Sequence, residues 1–257
     1  MSVHDDGDQS TLKGQINTDI DPSWRILRIM SEFVDGFTFL ADVEHSVTFF
    51  GSARLPEDHP YYQLARDMGR ALASHGFSVV TGGGPGIMQA GNQGAKEGGG
   101  NSVGLNIQLP REQRINPYVR HSMSFHYFFS RKVMLDFSAE AFVFFPGGYG
   151  TLDEFFEVIT LIQTGKIDHD VPVIMMGSAY WEPLAHWIKS VLLDELHAIA
   201  PGDLEIWTLT DDVDEAVRII AERTQHQEQA RIAAGKRHPT PHDKLRQATR
   251  PMTEREQ

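Results

Sequence analysis

The sequence of 257 residues contains no cysteine. Disulfide bonds and thiolate metal sites are therefore excluded, and the composition fits a reducing compartment, for which we expect the cytoplasm. A long uncharged apolar run is also missing, and so is a leading basic and apolar segment. We therefore expect neither a membrane span nor secretion.

Basic residues are few relative to acidic ones. The chain has 23 Lys and Arg against 35 Asp and Glu, which gives a formal net charge of −12. This charge argues against a general affinity for nucleic acid. It does not exclude a small anionic ligand, because local N–H groups and a few Arg side chains can outweigh a distant net charge.

Several cofactor motifs are absent as well. The glycines at 82–86 do not complete the dinucleotide fingerprint, because Ile87 occupies its third required position, and no acidic residue closes the preceding strand. No Gly-Lys-Ser/Thr follows a glycine loop, and the twelve histidines do not cluster at metal-ligand spacings. We therefore expect no nicotinamide cofactor, no P-loop nucleotide hydrolysis and no metal.

Short apolar runs alternate with amphipathic segments along the chain, which predicts parallel strands covered by helices on both faces. We expect a Rossmann-like, doubly wound α/β sheet in a single domain over residues 21–224, with an extra apolar helix at its start. The polar segments 1–20 and 225–257 are predicted to be flexible tails. The expected strands are listed as Val47–Phe50, Phe77–Thr81, Ser102–Ile107, Ala141–Phe145, Val171–Met176 and Glu205–Leu209.

The stretch Ala141–Gly165 holds the strongest functional signal. Its apolar strand is followed by Gly147, Gly148 and Gly150, and then by an amphipathic helix predicted to open at Thr151. One interpretation is purely structural: Thr151 and Glu154 fit a capping box, and the glycines form a tight turn. The other is a phosphate site, because bare N–H groups and the helix dipole at a helix N-terminus attract anions.

The residues here resemble a known family. PGGYGTLDE matches the PGGxGTxxE motif of the LOG (Lonely Guy) phosphoribohydrolases, which are often mislabelled as lysine decarboxylases, and the pattern is that of the longer, bacterial-type members. Further matches, in the same order as in the family, are GGGPGIM at 82–88, LPREQ at 109–113 and YFFSRK at 127–132. The resemblance runs from about Trp24 to Asp211.

The resemblance implies roles for individual residues. Arg131 and Glu154 would be catalytic, although Arg131 and Lys132 alone would suit a solvated basic pair. Glu112, otherwise a loop surface residue, and Thr160, otherwise a cap on backbone carbonyls, would contact substrate. The remaining candidate substrate-binding residues are Ser52, Gly83, Gly84, Lys132, Gly148, Tyr149, Gly150 and Thr151.

The implied reaction is cleavage of the N-glycosidic bond of a cytokinin nucleoside 5′-monophosphate, giving the free base and ribose 5-phosphate. A general AMP or other nucleotide nucleosidase is one alternative, and a carrier that binds a nucleotide-like or pterin cofactor without cleaving it is another. The resemblance also implies a homo-oligomer, either a dimer or a hexamer. The apolar helix Ser23–Leu40 is a candidate surface for further assembly.

Overall fold

The apolar runs predicted as strands form the centre of one parallel sheet. The computed structural model describes residues 22–108 and 115–233, and within these ranges seven strands pair in the order β4-β3-β2-β1-β5-β6-β7. The strands are β1 (Ser46–Phe50), β2 (Ser78–Thr81), β3 (Ser102–Ile107), β4 (His121–Phe125), β5 (Ala139–Phe144), β6 (Val173–Met175) and β7 (Trp207–Leu209). The expected doubly wound α/β fold is confirmed.

Helices cover both faces of the sheet, and each follows a strand except the first. They are α1 (Pro22–Leu40), α2 (Pro60–Ser74), α3 (Ile87–Glu97), α4 (Phe128–Ser138), α5 (Tyr149–Gln163), α6 (Ser178–Trp187) and α7 (Val213–Ala233). A π-helical segment, Ile188–Glu195, continues α6, and a 3₁₀ turn, Pro201–Glu205, precedes β7. None of the described helices is long and apolar enough to cross a lipid bilayer.

The winding of the sheet reverses between two central neighbours, β1 and β5. From β1 the chain winds outward through β2, β3 and β4, then returns to β5 on the other side of β1 and continues to β6 and β7. All of these neighbours pair in parallel. The carboxyl ends of β1 and β5 therefore flank a crevice, which is where open α/β sheets bind ligands.

Strand β4 is not among the strands expected from the sequence. The sequence of β4, HSMSF, has few apolar residues because this strand lies at the edge of the sheet, and only Phe125 is buried. Helix α5 begins at Tyr149 rather than Thr151. Helix α7 reaches Ala233, so the boundary predicted at 224 lies within a helix. The division into one domain and two tails stays a prediction.

Helix α1 packs one face against the fold and leaves the other open. Phe33, Phe37 and Leu40 join the apolar core between the sheet and α4, α5 and α6. The opposite face remains exposed, and its large apolar side chains are Trp24, Ile26, Leu27, Met30 and Val34. An apolar helix face of this size in water favours a further contact surface.

Candidate active site

A cavity of about 1020 Å³ lies at the carboxyl ends of β1 and β5, in the predicted crevice. Its walls come from the β1 turn, the start of α4 and the start of α5. The predicted site residues that line it are Ser52, Arg131, Lys132, Gly148, Tyr149, Gly150, Thr151 and Glu154. Residues more than a hundred positions apart in sequence therefore meet in one pocket.

The glycine loop after β5 presents bare backbone to this cavity. Gly148 is the N-cap of α5, and among the described residues no acceptor takes the N–H groups of Gly148, Tyr149 and Gly150. A Cβ added to Gly148 or Gly150 would meet no atom within 4 Å. Because neither packing nor a positive φ requires glycine at these two positions, the open backbone is left for a ligand.

The neighbouring residues hold this loop in place. The Tyr180 hydroxyl donates a hydrogen bond to the Gly147 carbonyl at 2.8 Å, and a Cβ on Gly147 would overlap the Thr151 side chain. The Thr151 N–H donates to the Gly148 carbonyl at 3.0 Å. Of the loop's backbone N–H groups at Gly148, Tyr149, Gly150 and Thr151, that of Thr151 is therefore already bonded within the protein.

The capping-box interpretation of Thr151 and Glu154 is wrong. A capping box needs the Thr at the N-cap, with its own N–H free to donate a hydrogen bond to the Glu side chain. Here the N-cap is Gly148, Thr151 lies inside the first turn of α5, and its N–H is bonded to Gly148. Glu154 is instead buried beside the cavity, with 7% of its surface exposed.

Arg131 enters the cavity from the first turn of α4. Its guanidinium carbon lies 5.3 Å from the ring centroid of Phe128, and its Nη1 lies beside Gly82. Burial lowers the pKa of Arg131, and the charge of Glu154 opposes that shift. Its Nε is buried and finds no hydrogen-bond acceptor within the described ranges. A buried cationic donor without an acceptor is a group prepared for an oxygen-bearing ligand.

Lys132 is surrounded by carboxylates of α5. Its Nζ lies 2.7 Å from the Asp153 Oδ2 and 3.7 Å from the Glu154 Oε2, and it also pairs with the Glu157 carboxylate. Burial lowers the pKa of Lys132, but the carboxylates raise it by a larger amount, so the net shift of the pKa is upward. Lys132 is therefore a fixed positive charge that orients the acidic groups. Asp153 forms an ion pair with Lys132 near the start of α5.

Burial raises the pKa of Glu154 from 4.5 to about 7. The Glu157 carboxylate adds to this rise, whereas Lys132 and Arg131 oppose it. Asp136 on α4 behaves alike: burial, followed by the charges of Glu154 and Glu157, raises its pKa to about 8. A carboxyl group that titrates near neutral pH inside a cavity has the property expected of a general acid or base.

The sequence analysis did not assign roles to Asp136 and Glu157. Helical spacing supplied a signal, because Glu157 lies three residues after Glu154 and Asp136 lies four after Lys132. The spacing places each pair on one helix face. It does not show that the two faces meet.

Four predicted site residues lie outside this cavity or outside the described residues. Gly83 and Gly84 do not line the cavity; Asn116 holds them in a turn through hydrogen bonds to their carbonyls, and the neighbouring Gly82 lines the wall instead. Thr160 lines an adjoining open cleft of about 720 Å³, where its hydroxyl donates to the Phe156 carbonyl at 2.6 Å. Glu112 lies outside the described residues.

Metal ligation has no support in the described ranges. Within residues 22–108 and 115–233, no group of three or more His, Asp or Glu side chains is arranged to hold a metal ion. The acidic side chains around the cavity instead share Lys132 as their cation.

Known proteins are similar in sequence to most of the domain that holds this cavity. Residues 88–220 match the model of a family described as "Possible lysine decarboxylase". The chain is 30% identical over 182 residues to a cytokinin riboside 5′-monophosphate phosphoribohydrolase of Rhodococcoides fascians, covering 68% of this chain and 88% of that protein. It is 29% identical over 175 residues to the protein of the same name from Mycobacterium tuberculosis, covering 66% and 90%.

Solved structures share the fold at lower identity. The Moco carrier protein of Chlamydomonas reinhardtii aligns with a TM-score of 0.51 and 23% identity, covering 70% of this chain and 98% of that one. Similarity at this level extends to the arrangement of strands and helices. It says nothing about the chemistry of the cavity.

The raised pKa of Glu154 makes a prediction about stability. Between pH 4.5 and about 7 the folded state holds a proton that the unfolded state has released, so this group's contribution to stability falls as pH rises through that window. Above pH 7 the ionised, buried carboxylate costs about 3 kcal/mol relative to the unfolded chain. Glu154→Gln removes that cost, so the variant should melt higher than the wild type at pH 8.

Thermal melts of both proteins at pH 5 and pH 8 test this prediction. The difference in melting temperature should be large at pH 8 and should nearly vanish at pH 5. A difference that is the same at both pH values would show that the amide acts through packing and that the carboxyl is not shifted.

Proposed function

The chain belongs to the LOG family, and from that premise we propose that it hydrolyses the N-glycosidic bond of nucleoside 5′-monophosphates of the cytokinin type. The products are the free base and ribose 5-phosphate. The observation that carries this proposal is the position of Glu154, a buried carboxyl group one helical turn beyond free backbone donors and in the same cavity as Arg131.

The first step of the proposed mechanism is anchoring of the 5′-phosphate. The free N–H groups of Gly148, Tyr149 and Gly150 point from the start of α5, where the helix dipole adds positive potential. The phosphate takes hydrogen bonds from these groups, and the ribose then extends along the cavity toward Glu154. Anchoring at one end converts the encounter of the sugar with the acid into an oriented, effectively intramolecular event.

The second step is bond cleavage at C1′. The base departs with the electron pair of the C1′–N bond and takes up a proton from solvent, which leaves an oxocarbenium-like sugar to which water adds, by analogy with glycoside hydrolysis. Glu154 in its ionised form stabilises the developing positive charge, binds ribose hydroxyls or takes a proton from the attacking water. Arg131 donates hydrogen bonds to the nucleotide and stabilises charge on the departing base.

The carboxylates around Lys132 support this chemistry. Asp153, Glu154 and Glu157 bring three acidic groups to one ammonium, so the neighbourhood of the sugar keeps a negative excess. A negative excess favours a cationic transition state. Lys132 fixes the position of the carboxylates, and we therefore assign it to the site in an orienting role.

Other parts of the proposal concern the setting of the reaction. We propose a cytoplasmic homo-oligomer, because the sequence has no cysteine and the outer face of α1 is apolar and exposed. Glu112 remains a proposed substrate contact. No cofactor is required by the mechanism, since every proposed step uses side chains and backbone groups of the cavity.

One assay tests the proposed function. Purified protein is offered isopentenyladenosine 5′-monophosphate, AMP, CMP and UMP, and release of free base and ribose 5-phosphate is measured. We expect release, fastest with the isopentenyladenine nucleotide. Faster cleavage of AMP would identify a general nucleotide nucleosidase. Binding without release from any member of the panel would favour a carrier and contradict the proposal.

A further inference from the structure

The N-terminus of α4 is capped by a residue from a different helix. Tyr127, at the N-cap position of α4, forms no side-chain cap. Instead the Glu32 carboxylate of α1 accepts hydrogen bonds from the His126 N–H at 2.6 Å, the Tyr127 N–H at 3.3 Å and the Ser130 hydroxyl at 2.5 Å. One half-buried side chain therefore satisfies three donors at the start of α4.

This arrangement is favourable for electrostatic reasons. The two N–H groups belong to the N-cap residue of α4 and the residue before it, and the helix dipole makes the start of α4 positive. A carboxylate that accepts hydrogen bonds there is stabilised by these bonds and by the dipole, and such charge-assisted bonds are stronger than neutral ones. Glu32 therefore fixes the position of the first turn of α4 relative to α1.

Farther along, α1 also packs directly against α4. Gly36 lies so close to Met134 that an added Cβ would be 2.6 Å from its sulfur. Phe37 packs edge to face on Phe137 with the ring centroids 4.5 Å apart. Helix α4 is thus held by Glu32 at its start and by apolar contacts farther along.

The first turn of α4 also carries Arg131, which follows directly after Ser130. Among the described residues no acceptor bonds the Nε of Arg131, so no hydrogen bond at that atom fixes the guanidinium. Its position depends on the helix backbone and on packing against Phe128. A displacement of the first turn would move Arg131 within the cavity, and a misplacement of 1 Å can cost about 10²-fold in rate.

We propose that Glu32 is a positioning residue for the nucleotide hydrolysis, acting through Arg131. The inference rests on the proposed function, because it assigns Glu32 to the same site. It gives the extra N-terminal helix a task in the reaction: the inner face of α1 sets the geometry of the first turn of α4.

Three single variants examine this proposal in the full-length chain. Glu32→Ala removes the acceptor, and Glu32→Gln keeps one acceptor oxygen but loses the charge. Asp35→Asn is the matched control. Asp35 is an exposed acid on the same helix, and it accepts a hydrogen bond from the hydroxyl of Ser31, also on α1. We expect kcat to fall about tenfold or more in Glu32→Ala, less in Glu32→Gln, and to stay at the wild-type value in Asp35→Asn.

A double-variant cycle separates positioning from a general loss of stability. Turnover and KM are measured well below the melting temperature for the wild type, Glu32→Ala, Arg131→Lys and the combined variant. If Glu32 acts through Arg131, its removal lowers kcat in the wild type but changes it less than threefold in the Arg131→Lys background. KM should change little, because the phosphate donors lie on α5.

The outcomes are distinct. Wild-type kcat in Glu32→Ala, or an equal loss in both Arg131 backgrounds, would overturn the proposal. A wild-type protein that releases no ribose 5-phosphate would instead refute the proposed function, and the same cycle would then be read from AMP affinity by calorimetry. A wild type that neither cleaves nor binds AMP would refute both.

Discussion

Replacing Glu154 by glutamine is expected to lower the turnover of a nucleoside 5′-monophosphate about 10³-fold while the affinity for AMP stays within about threefold. The amide keeps the size of the side chain in its buried position but cannot carry the negative charge that an oxocarbenium-like sugar requires. The proposed phosphate donors lie one turn earlier on α5 and are not altered. Single-turnover kinetics and calorimetry measure the two quantities separately.

Asp153→Asn is the matched control for this variant. Asp153 is the adjacent acid on the same helix and pairs with the same Lys132, but its side chain is largely exposed. We expect less than a tenfold loss of turnover from it. Undiminished turnover in Glu154→Gln, or equal losses in the two variants, would remove Glu154 from the mechanism.

The pH profile provides a second reading of the same residue. Since only the ionised carboxylate has the proposed role, wild-type kcat/KM should rise with pH through about 7, the pKa of Glu154 in the folded protein without substrate. This rise is opposite in direction to the stability change over the same window. The ionised group that the reaction needs is the one that destabilises the fold, a trade between activity and stability that is common at active sites.

The sheet was predictable because its central strands are buried on both faces. A fully buried parallel strand must be a short apolar run, and five such runs along the chain correspond to the five adjacent strands β3-β2-β1-β5-β6. β4 could not be found in this way. It lies at the edge, its side chains are mostly exposed, and its pairing with β3 follows from the fold and not from its own composition.

The open backbone donors after β5 were predictable for a different reason. A glycine-rich turn between a strand and a helix has the same geometry in many proteins, so the sequence alone locates the free donors near Gly148 and Gly150. The roles of Gly83 and Gly84 were not predictable, because whether a glycine turn faces a cavity depends on what satisfies its carbonyls. Here Asn116, more than thirty residues later, does so.

The acidic side chains around Lys132 and the cap on α4 show most clearly which contacts the sequence alone does not predict. Glu157 and Asp136 lie at helical spacings that mark a face, yet their charges interact only because the fold brings side chains of α4 and α5 within reach of each other. Glu32 reaches α4 across more than ninety residues of sequence. Contacts between residues this far apart in sequence are properties of the tertiary structure, and local sequence patterns do not predict them.

Removing the 5′-phosphate from the substrate is expected to have an effect as large as that of Glu154→Gln. The wild type should cleave AMP with a kcat/KM at least about 10³-fold above that for adenosine, because in the proposed mechanism the free donors at the start of α5 bind only the phosphate. Binding energy at the phosphate holds C1′ next to Glu154, so its loss lowers kcat as well as affinity. Equal rates for the two substrates would show that these donors do not bind the phosphate.

Tyr149→Pro tests the same donors from the protein side. Position 149 is the first residue of α5, where proline is favoured, and Gly148 before it is extended, with φ −100° and ψ −157°, outside the helical region that a following proline disfavours. The variant therefore keeps the helix and loses one N–H. A hydrogen bond to a charged group contributes about 1.5–3 kcal/mol, so kcat/KM for AMP should fall roughly 10- to 100-fold.

The control for this variant is Tyr149→Ala, which removes the same side chain but retains the backbone donor. The Tyr149 side chain is 94% exposed, so its loss should change kcat/KM less than about threefold. Adenosine cleavage should be equally slow in both variants and in the wild type, since no phosphate is present to use the missing donor. If the alanine and proline variants lose AMP turnover to the same extent, the tyrosine ring and not the backbone binds the nucleotide, and the anchoring step must be reassigned to side chains of the cavity.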